Sequence, residues 1–379
     1  MDNPFAYGKE VSGRFFTDRE EETVELLRDL KRGQNVIIYS PRRYGKTSLI
    51  KKVLESLRKD GMITIYIDLY KATSKQKLID VFAKSVAEQT ESNLKKGFAV
   101  IKELLPKLLP KIIFRQTGLP EIEFEYNRNQ SIMPLLSDVL ELVHKISKKR
   151  KKNAVVVFDE FQEIMNFEDD EIEREMRSHF QSHQNISYVF LGSKQHLMKK
   201  LFLDKSRPFY NSGKHFPLGK IENEKFSIFI KNNFKSNGMK IDNETIGEIL
   251  GKTQGHPYYT QLLCNVLWDY CVENKIKFIK NKEVDLALDK VLKRESHAYI
   301  EIWEGIRGNA RLVLEAMAKQ DFVKAFSSAF LLENRLGTAS SIQRAIKILE
   351  NRGLIEKQEG SYYIADVFFK LWIIQNILR

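Results

Sequence analysis

Gly45, Lys46 and Thr47 close the stretch SPRRYGKT (residues 40–47), which follows directly on the apolar run NVIIY and opens into SLIKKVLESLRKDG. Holding a phosphate takes backbone N–H groups that converge on the anion, a helix N-terminus behind them, and one cation within reach. A strand, a tight loop and a helix supply the first two. In the loop Ser40, Pro41, Arg42, Arg43, Tyr44, Gly45, Lys46, Thr47 and Ser48, Gly45 lets the backbone approach the anion and Lys46 reaches the β and γ oxygens of a triphosphate. Thr47 offers its hydroxyl to Mg²⁺. The backbone N–H groups of Arg42 and Arg43 matter more here than their side chains. Gly-Lys-Ser/Thr alone turns up by composition in about one chain in five of this length, so a second element has to decide the reading.

AVVVFDE (154–160) is that element. It ends an apolar run on Asp159 and Glu160, and two adjacent carboxylates there cost stability unless something uses them. Asp159 can hold Mg²⁺ through its water shell, and Glu160 can orient and deprotonate an attacking water. Loop and acidic pair together predict a nucleotide site equipped for hydrolysis.

The elements that must position these groups are legible as short β-branched runs. NVIIYS (35–40), ITIYIDLY (63–70), AVVVFDE (154–160) and SYVFLGS (187–193) read as buried parallel strands, with HFPLG (215–219) a weaker fifth. Helical periodicity between them predicts an α/β domain of three layers, α/β/α, over residues 1–219. The stretch 75–152 reads as mainly helical, broken by GLPEIEFEY (118–126), whose alternation suggests a small hairpin. Beyond residue 219 the strands stop. Two helices, the second capped by Asp242 or Asn243 and stopped by Gly255, precede a third opened by Pro257, giving a helical domain over 220–296. Residues 297–379 end in a helix, a stop at Gly353 and two short strands about Gly360 and Ser361, which reads as a helix-turn-helix with a wing.

Composition narrows the class. The 62 basic residues exceed the 50 acidic ones, for a net charge of +12, which favours an acidic partner such as nucleotide or nucleic acid. Much of the excess sits in residues 95–115 and in KISKKRKK (145–152), and the second run, which immediately precedes an apolar strand, reads as a solvated loop. The cysteines are two, Cys264 and Cys271, seven residues apart in one helix; buried free thiols are expected, with neither a disulfide framework nor a zinc set. No run approaches the ~18 apolar residues of a membrane span. The N-terminus has neither the basic patch nor the apolar core of a signal peptide. A cytoplasmic protein without membrane contact is the expectation.

SPRRYGKTSL, VVVFDEFQEI, VFLGS and TQGHPYY, in this order and spacing, resemble the archaeal ATPase family within the STAND class of P-loop NTPases, relatives of the AAA+ proteins. The lead-in NPFAYGKEVSGRFFTDREEETVELL is similar to that family's opening, and ADVFFKLWI matches its usual ending loosely. The resemblance implies that ATP is the nucleotide, with Lys46 on phosphate and Thr47 and Asp159 on Mg²⁺. It implies further that Asp159 and Glu160 are the acidic pair and Ser193 the polar sensor ending the fourth strand. His256 and Pro257 would belong to a lid near the nucleotide, and Phe16 to Arg19 would approach the adenine. The departure is Ser40, where such loops commonly begin with glycine; some backbone strain is expected there. Arg207, in DKSRPFY, is the candidate for stabilising charge in the transition state.

In the last module, the helix SSIQRAIKILENRG exposes Ser340, Gln343, Arg344, Lys347 and Asn351, types able to meet phosphates or base edges. Against this, residues 296–379 carry eleven Lys and Arg against nine Asp and Glu, whereas DNA-binding modules lean more basic. Gln343, Arg344 and Lys347 could equally dock a protein. The main expectation is an ATP-hydrolysing, Mg²⁺-dependent switch, slow without a partner, that works through its winged helix and assembles on binding ATP. The alternative is an ATP-gated DNA-binding protein of the replication-initiator (Orc/Cdc6) type. A small-molecule kinase fits less well, because the Asp-Glu pair suits water activation.

Overall fold

Five apolar runs form one parallel sheet: β1 (Val36–Tyr39), β2 (Ile63–Asp68), β5 (Ala154–Asp159), β6 (Ile186–Gly192) and β7 (Lys214–Pro217), in the order β2-β5-β6-β1-β7. The three middle strands are buried along nearly their whole length, which is why their sequences run on as Val, Ile and Phe without alternation. The computed structural model describes residues 2–8, 18–91, 93–114, 120–125, 131–167, 170–358 and 360–378.

Helices α1 (Glu20–Lys31), α2 (Lys46–Lys59), α3 (Lys75–Thr90), α4 (Leu94–Leu104), α5 (Ile132–Leu140), α6 (Leu142–Arg150), α7 (Glu171–Ser182) and α8 (Gln195–Leu203) complete this unit, Asp18–Gly219. Its core gathers Phe82, Phe158, Phe161, Phe190, Phe202 and Phe209, all essentially without solvent exposure. The hairpin differs from the sequence reading. Pro120–Glu125 (β4) is one arm only, and its antiparallel partner is Leu109–Phe114 (β3), taken above as helical. Pro106 and Pro110 remove donors that a helix through this stretch would need, while Ile112, Ile113 and Phe114 favour an extended chain.

The second unit joins residues 2–8 to 220–378. It holds α9 (Asn223–Ser236), α10 (Asn243–Thr253), α11 (Pro257–Glu273), α12 (Asn281–Glu304), α13 (Asn309–Ala318), α14 (Ser328–Glu333), α15 (Ala339–Asn351) and α16 (Val367–Asn376). Asp242 caps α10 by accepting from Thr245 N–H at 2.8 Å, and Pro257 occupies the first turn of α11. Strands do not stop at residue 219: Lys240–Ile241 (β8) pairs in parallel with Phe278–Ile279 (β9). Two residues are too short a run for any periodicity to show. The wing is the antiparallel pair β10 (Ile355–Gln358) and β11 (Ser361–Ile364), turned at Gly360 with φ 84°, and the helix-turn-helix is α14 and α15. One continuous core links Phe226 and Leu263 of the first helices to Leu314, Ile346 and Phe368 of the winged helix, so 220–296 and 297–378 pack as one body. Cys264 and Cys271 are buried free thiols inside it. No described helix is long and apolar enough to cross a membrane.

Candidate nucleotide site

The parallel register brings three loops to one edge of the sheet. Tyr39 stands beside Gly192, and Asp68 beside Asp159, so the loop after β1, the acidic pair after β5 and Ser193 after β6 leave from the carboxyl ends of neighbouring strands. Open α/β sheets take their ligands there.

The loop turns through two left-handed residues, Arg43 (φ 66°) and Gly45 (φ 87°); Ser40 is not among them. The strain expected at Ser40 is not found there: the turn falls on Gly45, which has no Cβ to clash, and on Arg43, the non-glycine residue that bears the left-handed conformation. Ser40 is buried, Arg42 and Arg43 are exposed, and Tyr44 packs inward. The first turn of α2 carries no acidic residue to neutralise the helix's positive end. Lys46, only 6% exposed, folds its ammonium back on the loop, donating to the carbonyls of Ser40 at 2.8 Å and Pro41 at 2.9 Å and to Ser40 Oγ at 3.3 Å.

Across from it, Thr47 Oγ1 donates to Asp159 Oδ2 at 3.2 Å. Glu160 N–H donates to Asp159 Oδ1 at 2.8 Å, and the hydroxyl of Tyr66 donates to Oδ2. Burial pushes the Asp159 carboxyl above the usual carboxylate range, and the Tyr66 and Glu160 donors pull the other way. Burial and the neighbouring Asp159 raise the Tyr66 hydroxyl well above its ordinary value. An oxygen pair of this kind, one hydroxyl and one carboxylate whose ionised form burial disfavours, suits a hard divalent cation such as Mg²⁺.

Glu160 sits in a left-handed conformation (φ 50°), and its carboxylate meets the residue that follows β6. There Ser193 Oγ donates to Glu160 Oε2 at 2.7 Å, and the amide of Gln162 donates to the same oxygen. Lys46, Thr47, Asp159, Glu160 and Ser193 thus converge. Tyr66 and Gln162 were not singled out from the sequence. A tyrosine within the apolar strand ITIYID and an amide two residues past Glu160 are the signals the sequence holds for them; the burial of Gln162 shows only in the fold.

Arg207 stands apart from this group: its guanidinium pairs with Glu173 of α7, whose side chain is 1% exposed. Freeing the arginine would leave a buried carboxylate uncompensated. His256 and Pro257 belong to the other unit. The His256 ring, 5% exposed, caps α11 by accepting from Tyr258 N–H at 3.2 Å and packs on Tyr259 with ring centroids 4.6 Å apart. In the lead-in, Arg19 pairs with Glu22 at 2.7 Å and donates to the Gly219 carbonyl at 2.6 Å; Phe16 lies outside the described residues.

A family model described as an ATPase domain predominantly from Archaea matches residues 16–263, and one described as a "probable winged helix domain" matches 297–375. The "uncharacterized ATP-binding protein MJ0801" of Methanocaldococcus jannaschii is 30% identical over 159 residues, a stretch covering 39% of this chain and 39% of that protein. The chain thus spans about two fifths of that relative's length. Among solved structures, the Walker-type ATPase PABY2304 of Pyrococcus abyssi superposes with a TM-score of 0.63 at 16% identity, over 95% of this chain and 96% of that one. The Aeropyrum pernix ORC1 protein, solved in complex with DNA, gives 0.50 at 13% identity, over 97% and 94%. At such identities the likeness is one of fold: a P-loop ATPase domain with a parallel sheet, followed by a winged helix.

Proposed function

The chain belongs to the family of ATPase domains found predominantly in Archaea, and on that premise we propose that it binds ATP with Mg²⁺, hydrolyses it, and works as a nucleotide-driven switch. The observation that carries the proposal is Lys46. Its buried ammonium rests on the carbonyls of Ser40 and Pro41, weak neutral acceptors that the β and γ oxygens of a triphosphate would replace with charged ones. Mg²⁺, when bound, would supply charge neutralisation on the phosphates. Thr47 and Asp159 are the residues that would hold it. Glu160 takes the proton of the attacking water, with Ser193 and Gln162 fixing its carboxylate. Ser193 also registers whether a γ-phosphate is present, as the polar sensor of the fold.

Switching follows from that contact: loss of the γ-phosphate releases the groups it ordered, and the helical and winged-helix body is the element biased by the change. Placement within the STAND class and assembly on ATP are part of the same proposal. Arg207 is held by Glu173, so we assign it no catalytic part. An arginine supplied by another subunit or partner would raise turnover by ~10³–10⁵, and slow basal hydrolysis is expected without it. Calorimetric titration of ATP at millimolar Mg²⁺ tests the reading. Wild type should bind and Lys46→Ala should bind about a hundredfold more weakly; equal affinity in the two proteins would overturn it.

A second reading is favoured by one surface. Gln343, Arg344, Lys347 and Asn351 all lie on the exposed side of α15, opposite buried Ile342, Ile346 and Leu349. This face could enter a DNA groove, with ATP locking the bound form. Duplex binding over a salt series decides: affinity should fall steeply as salt rises, and a flat response rejects DNA as the partner.

A further inference from the structure

The amino-terminal end of β6, opposite the Ser193 end, carries a cluster that ATP chemistry does not use. We propose that Glu141, His179 and His183 form a site for one zinc-class divalent ion in the ATPase unit. Glu141 stands at the junction of α5 and α6, His179 in the last turn of α7, and His183 between α7 and β6. One oxygen of Glu141 meets His179 Nδ1 at 2.5 Å and His183 Nε2 at 2.9 Å, and among the described residues the three donor atoms lie within 4.8 Å of one another. Tetrahedral zinc with bonds near 2.0–2.1 Å holds its donors about 3.3 Å apart. The Glu141 oxygen needs to back away from each nitrogen by less than an ångström to accept it.

The outer partners are already built. A ligating imidazole usually has its second nitrogen fixed by a neighbour, which sets its tautomer and ring plane. Here His179 Nε2 lies 2.8 Å from Ser137 Oγ and 3.1 Å from Glu175 Oε1, and His183 Nδ1 lies 2.6 Å from the Tyr188 hydroxyl. The His183 side chain is fully buried, His179 is 16% exposed and Glu141 29%, so the cluster is rigid on one side and open to solvent on the other. His144 stacks on His183 with ring centroids 4.5 Å apart, which further restrains that ring. Two imidazoles and one carboxylate select zinc and its neighbours over Mg²⁺, leaving a fourth position for water. An ion there would pin α6 and α7 to the start of β6.

The test uses the full, untagged chain, stripped with a chelator and returned to chelator-free buffer without nucleotide. Zn²⁺ is titrated by calorimetry, Co²⁺ by its visible absorption, and unfolding is followed with and without Zn²⁺. Wild type should take up one equivalent, show tetrahedral cobalt bands, and unfold roughly 5–10 °C higher at a hundredfold excess of Zn²⁺ over Kd. His183→Gln should lose uptake by about a hundredfold or more. Since His183 is buried, His179→Gln and Glu141→Gln, nearer the surface, are measured beside it and should show the same loss. Lys46→Ala should bind Zn²⁺ like wild type. Substoichiometric uptake by wild type, or equal uptake by wild type and the His179→Gln and Glu141→Gln proteins, would reduce the cluster to a hydrogen-bonded contact and overturn the proposal.

Discussion

Ser193 Oγ donates to Glu160 Oε2 at 2.7 Å, joining the carboxyl ends of two adjacent strands through the carboxylate we propose as the base for water. The amide of Gln162 shares that oxygen, so the carboxylate is held from two sides. Glu160→Gln should leave ATP affinity nearly unchanged and lower turnover by ~10²–10⁴, the usual worth of a positioned base. Ser193→Ala, which removes one restraint but not the base, should cost about tenfold. Single-turnover assays at saturating ATP distinguish the two; equal rates in wild type and Glu160→Gln would remove Glu160 from the mechanism.

Tyr66 bears on the same site one strand away. Its hydroxyl donates to the Asp159 oxygen that also accepts from Thr47, favouring the ionised form that burial disfavours. In Tyr66→Phe the Asp159 carboxylate loses that donor, and a hydrogen bond to a charged group is worth ~1.5–3 kcal/mol. The Mg²⁺ concentration for half-maximal turnover should therefore rise about tenfold, with the ATP requirement at saturating Mg²⁺ little changed. Titrating Mg²⁺ at fixed ATP checks this, and an unchanged midpoint would leave Tyr66 a packing residue.

The parts legible in the sequence share one property: their signal is local. Val36–Tyr39 and Ala154–Asp159 announce themselves as unbroken β-branched runs, and Gly45, Lys46 and Thr47 sit at a spacing that only the loop's own geometry requires. The contacts that escaped are remote. Tyr66 and Asp159 are 93 positions apart, and Arg207 finds Glu173 34 positions back; neither pairing leaves a mark on its neighbours. The β3 arm escaped for another reason. KLLPKIIF spaces its apolar residues in a way that serves a helix or a strand; Pro106, Pro110 and the β-branched residues lean toward the strand, and pairing with Pro120–Glu125 completes it.

Gly192 is constrained by packing, not by its backbone angles. A Cβ built there would fall inside van der Waals contact with Met198 of α8 and 2.8 Å from Gln162 Oε1. Gly192→Ala should destabilise the ATPase unit by about 1–3 kcal/mol, as overpacking does in a dense core. It should also slow hydrolysis, because the displaced glutamine is one of the two groups restraining Glu160. Urea unfolding together with turnover reads both effects. A variant as stable as wild type would show that α8 yields without cost.

Acid should weaken the ATPase unit through its buried imidazoles. Burial lowers His144, His183 and His215 below the ordinary value of 6.5, and both ring nitrogens of His215 are buried without a hydrogen-bond partner among the described residues. The unfolded chain therefore takes up protons near pH 6.5 while the folded one resists until lower pH. Stability from these groups is complete above the unfolded value and is lost as pH falls through it toward the folded one. Asp159 acts in the opposite sense: burial raises its carboxyl, so its contribution is greatest in acid and is lost as pH rises from 3.8. His215 is isolated by substitution. Comparing urea midpoints at about pH 7.5 and about pH 5.5, with chelator present, wild type should lose stability on acidification and His215→Phe should lose less. Equal losses in the two proteins would mean that His215 accepts its proton as readily folded as unfolded.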